Sequence, residues 1–407
     1  MFNLDDYISI VGENEISELR LISEKLRGKS IVNINSTSIG GGVAEILNRM
    51  VPLLKDMGVN VRWECIKGGE KFFIITKKFH NALHGKKEQL SKEDFELYLD
   101  TVRDNVLSLS LDADILFIHD PQPAALVLER NKYKNRWIWR CHIDLSQRDE
   151  NLWNFLKPMI EQYDASVFSA PSFTQGLLHR QMLIPPSIDP LSDKNKELPR
   201  QTIDEVLSRF KIDAERPIVT QISRFDYLKD PVGVIEAYKL VKQYVNCQLV
   251  LAGGSADDDP EGVKVLAEVR QKAGEDPDIH ILCLPPTSHI EINALQRAST
   301  VILQKSLKEG FGLTVSEALW KGKPVIASSV GGIPLQITHK YSGILTHSIE
   351  GTAHWLKQLL QNPEYAKKLG DNGREQVRNN FLLTRHLREY MLLFLSLDHP
   401  NETLIYF

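Results

Sequence analysis

Lys308-Glu309-Gly310-Phe311-Gly312-Leu313-Thr314-Val315-Ser316-Glu317 places two carboxylates on either side of a Gly-x-Gly turn. Val301-Ile302-Leu303-Gln304 before it reads as a short buried strand, and Thr314 to Trp320 as a helix closed by Lys321-Gly322-Lys323-Pro324. Glu309 then stands on the loop and Glu317 inside the helix. Gly310 and Gly312 allow a close backbone approach, and the helix start, with Phe311 and Leu313 beside it, offers free N–H groups and the positive dipole end to an anion. The pattern suits a phosphate held between two hydroxyl-binding carboxylates, the layout of a sugar-nucleotide site. The competing reading makes Glu317 an ordinary solvated helix residue.

The order of strand, turn and helix recurs outward in both directions, which predicts an α/β protein with parallel sheets. Expected strands before the midpoint are Ser30–Asn35, Val59–Trp63, Asp114–Ile118, Trp137–Arg140 and Ala165–Ser169, with a helix from about Val43 to Met57 closed by Gly58. Leu183-Ile184-Pro185-Pro186-Ser187-Ile188-Asp189-Pro190 neither continues a helix nor supplies the donors of a central strand, and reads as an interdomain hinge. Beyond it come Pro217–Ile222, a helix from Pro231, Cys247–Gly254, Ile279–Leu284, Thr300–Gln304 and Pro324–Ala327. We expect domains at residues 1–186 and 187–383, with the stretch from about 384 to 407 packing back on the first, and a ligand cleft between the two.

A chain of 407 residues suits two domains, and a net charge of -4 lacks the basic excess of a nucleic-acid binder. The dispersed Cys65, Cys141, Cys247 and Cys283 form no C-x-x-C and read as reduced thiols. No long apolar run and no secretory signal is evident, so a soluble cytoplasmic protein is expected.

Other polar positions cluster at expected strand ends. Gly40-Gly41-Gly42 follows the first strand and opens a helix, which reads as a phosphate cradle or as a flexible turn. It is neither a Walker loop nor G-x-G-x-x-G. Arg224 and Lys229 leave the strand at Ile222 as two cations suited to clamp a diphosphate, against the default of surface charge. His119-Asp120 and His142 with Asp144 close two strands of the first unit, where a substrate hydroxyl would be held. A metal site with Cys141 competes, without supporting spacing. Asp257-Asp258-Asp259-Pro260 reads as a solvated loop and helix cap.

Together, Glu309 and Glu317, Arg224 with Lys229, the glycine loop and the two His/Asp strand ends resemble a retaining GT-B glycosyltransferase of family 4. The runs Val32–Ser38, His119–Ala125, Trp139-Arg140-Cys141-His142-Ile143-Asp144-Leu145-Ser146, Pro185–Ser192 and Glu309–Gly322 resemble more narrowly the trehalose glycosyltransferring synthases, and the resemblance spans essentially the whole chain. It implies two Rossmann-like domains facing a central cleft. It also implies glucose transfer from ADP-, UDP- or GDP-glucose to free glucose, reversibly, giving α,α-trehalose.

On this resemblance Glu309 contacts donor hydroxyls, Glu317 the ribose, and Arg224 and Lys229 the diphosphate. Asp120 and His142 lie beside the transferring sugar and acceptor, with Arg140 and Asp144 as neighbours. No tightly bound cofactor and no protein metal site are implied, Mg²⁺ being a companion of the nucleotide, and neither nucleic acid nor membrane is an expected partner; a homodimer is left open. The alternatives are a trehalose phosphorylase and a family 4 hexosyltransferase with another acceptor. One departure is Asp230-Pro231 after Lys229, where many relatives have Gly; only a changed helix start is expected from it.

Overall fold

The computed structural model describes residues 3–38, 41–254 and 260–399. The chain divides into two compact units, one formed by Met1–Pro186 with Leu383–Phe407 and the other by Ser187–Leu382.

Among the described residues the first unit holds strands β1 Ser30–Asn35, β2 Asn60–Cys65, β3 Ile115–His119, β4 Arg136–Arg140, β5 Ala165–Phe168 and β6 Arg180–Leu183. They form one sheet in the order β2-β1-β3-β4-β5-β6, and every pairing is parallel. A parallel sheet covered by helices is buried on both faces, which is why β3 is apolar until its closing histidine and wholly buried. The helix Gly41–Asp56, which joins β1 to β2, buries Ala44, Leu47, Met50 and Leu54 at helical spacing. The helix Leu383–Ser396 sets the rings of Tyr390 and Phe394 at 4.9 and 5.6 Å from Phe117, so it covers the sheet beside the end of β3.

The second unit repeats the plan with β7 Ile218–Ile222, β8 Gln248–Gly253, β9 Ile279–Cys283, β10 Val301–Gln304, β11 Val325–Ser328 and β12 Ile344–Thr346. Their order is β12-β11-β10-β7-β8-β9, again parallel throughout. Alternate strand residues feed two apolar layers. Val219, Leu249 and Leu251 pack with Ile235, Tyr238 and Leu356 on one face, and Ile222, Val250 and Ala252 pack with Val206 and Leu295 on the other.

Each sheet has one point where the chain reverses its direction of winding, between β1 and β3 in the first unit and between β7 and β10 in the second. Connections leave such neighbours toward opposite faces, and ligands of open parallel sheets bind at the carboxyl ends there. Of the polar positions singled out in the sequence, Arg224, Lys229 and Glu309 follow β7 and β10, Asp120 follows β3, and His142 and Asp144 follow the next strand, β4.

The expected strands form, with ends displaced by a residue or two. β6 and β12 were not expected, and Leu183, expected in the hinge, ends β6. Gly41 and Gly42, expected in a loop, are the first residues of a helix, while Gly40 and Asp257–Asp259 lie outside the described residues. No helix among the described residues is long and apolar enough to cross a membrane.

Candidate active site

In the second unit the chain leaving β10 brings Glu309 back to the chain leaving β7. Glu309 Oε2 lies 2.6 Å from Lys229 Nζ and accepts from Ser306 Oγ at 3.0 Å. Ser306 Oγ in turn accepts from Gln304 Nε2 at 3.0 Å. One carboxylate oxygen is thus held by a cation from one switch-point strand and a hydroxyl from the other.

The glycines make this approach possible. Gly312 has φ 84 and caps the helix Leu313–Trp320, and a Cβ on it would lie 3.1 Å from Glu309 Cγ. Gly331, at φ +54, is tighter, since a Cβ there would stand 1.6 Å from the Glu309 carbonyl oxygen. Gly332 packs on Gly310 in the same way. Gln336 braces the loop by donating to Phe311 O and accepting from Ser316 Oγ, both at 2.5 Å. Phe311 is a core residue whose ring packs 5.5 Å from that of Phe381.

Glu317 is 3% exposed, and its Oε2 has no hydrogen-bond partner among the described residues. A solvated helix residue is therefore not what stands at this position. Such an oxygen is costly to bury unless something donates to it. One turn on, Lys321 Nζ donates to Glu317 O at 3.1 Å and to Asn195 Oδ1 at 2.9 Å. Burial pulls the Lys321 ammonium below the ordinary lysine range, and the Glu317 carboxylate opposes that shift.

Arg224 and Lys229 enter different ion pairs. Arg224 is exposed and places Nη2 3.0 Å from Asp226 Oδ2. Asp230 takes φ 46, the left-handed region that glycine adopts freely, and its Oδ1 accepts from Gly233 N at 3.0 Å. Its other oxygen pairs with Lys305 Nζ. The aspartate thus does more than reset the helix start: it gives a nearly buried lysine its counter-ion.

In the first unit Asp120 and His142 meet at the ends of β3 and β4. Asp120 has φ 66, uncommon for a residue with a side chain, and its Oδ1 accepts from His142 N at 2.7 Å. Its backbone is fixed by Asp120 N donating to Arg140 O at 2.7 Å and Trp139 Nε1 donating to Asp120 O at 3.0 Å. Burial raises the Asp120 carboxyl to about 6, opposed by the His142 N–H and the Arg140 guanidinium.

His119 Nδ1 lies 3.2 Å from His142 Nε2, and His119 Nε2 lies 3.1 Å from Asn33 Oδ1. Burial, with Arg140 nearby, lowers His119 to about 3 and holds His142 well below the ordinary histidine range. Arg140 is fully buried. Its Nη2 donates to Ser169 Oγ at 3.1 Å, and its Nε and Nη1 have no hydrogen-bond partner among the described residues. Asp144 is buried with Oδ1 accepting from Ser146 N at 2.9 Å, the geometry of a local turn. No group of three or more metal-ligating side chains occurs among the described residues.

Lys305, Ser306, Gly331, Gln336 and Asn33 were not singled out in the sequence. Two signals pointed to some of them: Lys305 and Ser306 directly follow an apolar strand, and Gly331-Gly332 is a glycine pair just beyond another.

Residues 33–175 match the family described as Trehalose synthase, N-terminal domain, and residues 203–376 match that described as Glycosyl transferases group 1. The trehalose synthase of Pyrococcus horikoshii is 47% identical over 400 residues, covering 97% of this chain and 96% of the relative. A trehalose phosphorylase of Pleurotus pulmonarius is 26% identical over 434 residues, covering 92% of this chain and 58% of the relative. Among solved structures, an α,α-trehalose-phosphate synthase (UDP-forming) from Burkholderia xenovorans in complex with glucose-6-phosphate superposes with TM-score 0.73 at 14% identity, covering 90% of this chain and all of that one. That likeness establishes the fold, GT-B with two parallel-sheet α/β domains.

Proposed function

The chain belongs to the trehalose synthase family of glycosyltransferases, and from that premise we propose that it transfers glucose from a nucleoside-diphosphate glucose to the anomeric hydroxyl of free glucose, reversibly and with retention, to give α,α-trehalose. The observation that carries the donor assignment is Glu317, a buried carboxylate with one oxygen left to accept, on the helix whose N-terminus adjoins Glu309 and Lys229. Ribose hydroxyls are donors of the right kind for that oxygen. A phosphorylase acting on inorganic phosphate has no use for it.

In this reading the bond from the glucose anomeric carbon to the diphosphate oxygen breaks as the bond to the acceptor oxygen forms on the same face. The acceptor proton passes to the departing phosphate. Lys229, Arg224 and the N–H groups at the start of the Leu313–Trp320 helix offset the charge that develops on the diphosphate, the largest expected contribution. Glu309, held by Lys229 and Ser306, takes hydroxyls of the transferring glucose. Asp120 and His142 serve the acceptor side. Mg²⁺ is assigned to the nucleotide alone. The free thiols of Cys65, Cys141, Cys247 and Cys283 support a reducing, cytoplasmic setting.

The deciding experiment is incubation of purified protein with glucose and ADP-, UDP- or GDP-glucose in turn, with NMR of the disaccharide. A non-reducing α,α-linked product formed only with nucleotide sugar is expected. A reducing or β-linked disaccharide overturns the trehalose assignment, and synthesis from glucose 1-phosphate without nucleotide would favour the phosphorylase reading.

A further inference from the structure

Asn33, His119 and His142 form a chain of hydrogen bonds that runs from the middle of β1, across the end of β3, to the second residue after β4. Asn33 is 3% and His119 2% exposed, while His142 is only partly buried. The His119 and His142 rings lie 5.5 Å apart with planes 19° from parallel, and Phe117 packs on His119 from below at 4.6 Å. The rings are therefore fixed in orientation, and their two contacts, at 3.1 and 3.2 Å, define which nitrogen faces which atom.

The protons follow from the partners. Asn33 Oδ1 can only accept, so His119 Nε2 carries a hydrogen and donates to it. A neutral His119 then has its lone pair on Nδ1, and His142 Nε2 must carry the hydrogen that lies between the rings. The alternative, a doubly protonated His119, would put a second cation beside the fully buried Arg140 guanidinium. The other groups facing the pair do not compensate. Tyr390 and His386, both on the helix Leu383–Ser396, are held neutral by burial, and Arg385 on the same helix is another cation. Asp120 lies against His142, and its Oδ1 is engaged by the His142 backbone N–H rather than by the ring.

We propose that Asn33 and His119 are positioning residues that lock His142 as the neutral Nε2–H tautomer, leaving Nδ1 to accept a hydrogen bond from a sugar hydroxyl. The direction of that bond rests on the function proposed above, whereas the tautomer does not. His142 then acts as an acceptor, orienting a hydroxyl's lone pairs away from itself, and gives up no proton to the sugar.

The test uses the full-length protein labelled with ¹⁵N, in which long-range proton–nitrogen spectra separate protonated from lone-pair ring nitrogens, with His142 assigned by its loss in His142→Gln. The expected result is a protonated Nε2 and a lone-pair Nδ1 across neutral pH. A protonated Nδ1, or an imidazolium, overturns the proposal whatever the enzyme's product proves to be.

Two substitutions then separate positioning from packing. His119→Gln keeps a donor for Asn33 and an acceptor for His142, and should retain most of kcat. His119→Phe keeps the ring volume but neither polar atom, and should lose kcat by roughly tenfold, the scale of one net hydrogen bond, with the donor KM unchanged. If both variants fold, equal kcat in the two would show that the ring only fills space. If His119→Phe does not fold, Asn33→Leu supplies the reading: with no acceptor left at Nε2 the His119 tautomer is released, and a His142 ring still held wholly as the Nε2–H form would overturn the proposal.

Discussion

Lys229 Nζ and Glu309 Oε2 are 2.6 Å apart, although 80 residues separate them in the chain. The pair joins the two strands at the reversal of the second sheet, so the cation proposed for the diphosphate and the carboxylate proposed for the sugar fix each other's position. Lys229→Ala should lower turnover by about a hundredfold, the usual effect of removing one preorganised charge from a transition state. The fold should survive with a lowered melting temperature, since the side chains are only 18% and 11% exposed and Glu309 is left largely buried without its cation. Turnover within threefold of the parent would remove Lys229 from the diphosphate site.

Glu317→Ala and Glu309→Ala should separate binding from turnover. Loss of Glu317 should weaken binding of a free nucleoside diphosphate, measured by calorimetry, while loss of Glu309 should leave that affinity nearly intact and lower kcat. Equal losses of affinity in both variants would contradict the assigned roles.

Asp120 sets the expected pH dependence. Its carboxyl is raised to about 6 by burial, so the folded protein holds this proton more tightly than the unfolded chain does. That contribution to stability is complete at acid pH and is lost as the pH rises through about 6. Catalysis is expected to use the ionised form. The kcat/KM for glucose should therefore fall below pH of about 6, and the residual activity of Asp120→Asn should lack that limb. His119, held near 3, and His142, held well below its ordinary value, should add no titration in the neutral range.

Asp230→Asn keeps a residue that tolerates left-handed φ and can still cap the helix, but it leaves the Lys305 ammonium without its carboxylate. A loss of about 2 kcal/mol in stability is expected, below the value for a fully buried pair. Adding Lys305→Met should recover most of it in chemical denaturation. Simple additivity of the two losses would mean that the pair is not coupled.

Gly331→Ala should be disproportionately harmful. The new Cβ would overlap the Glu309 carbonyl, and backbone cannot swing aside as a side chain can. We expect at least a tenfold fall in kcat, because a loop displaced by about 1 Å misplaces the sugar contacts. Parent-like turnover would show that the Gly331 turn and the 309–312 loop move independently.

Most of the fold was legible because central parallel strands must be apolar on both faces, and runs such as Ile115–Ile118 and Val301–Leu303 announce that directly. The two unexpected strands are sheet edges. β6, Arg-Gln-Met-Leu, is only partly buried, and β12 spans three residues, so neither needs a long apolar run. At the site, Glu309 and Lys229 could be named from position after a strand, but their mutual contact could not, because it depends on which strands adjoin. The same limit hid Asn33. Its partner His119 belongs to β3, which neighbours β1 only because the chain places β2 on the other side. Arg140 was readable as a strand-end residue, yet its complete burial follows from the cover around that strand end.

The first unit is built from two separate stretches of the polypeptide, since the helix that covers Phe117 and supplies His386 and Tyr390 begins only at Leu383. The second unit, Ser187–Leu382, is one unbroken stretch. During synthesis, which runs from the N-terminus, the second unit can therefore finish folding on the ribosome while the first, though made earlier, still lacks a wall. The Phe117 face waits uncovered for the time taken to translate about two hundred further residues. That order leaves the Phe117 face among the last parts of the first unit to be covered, and a chain cut before Leu383 would lack the helix whose Tyr390 and Phe394 pack on it.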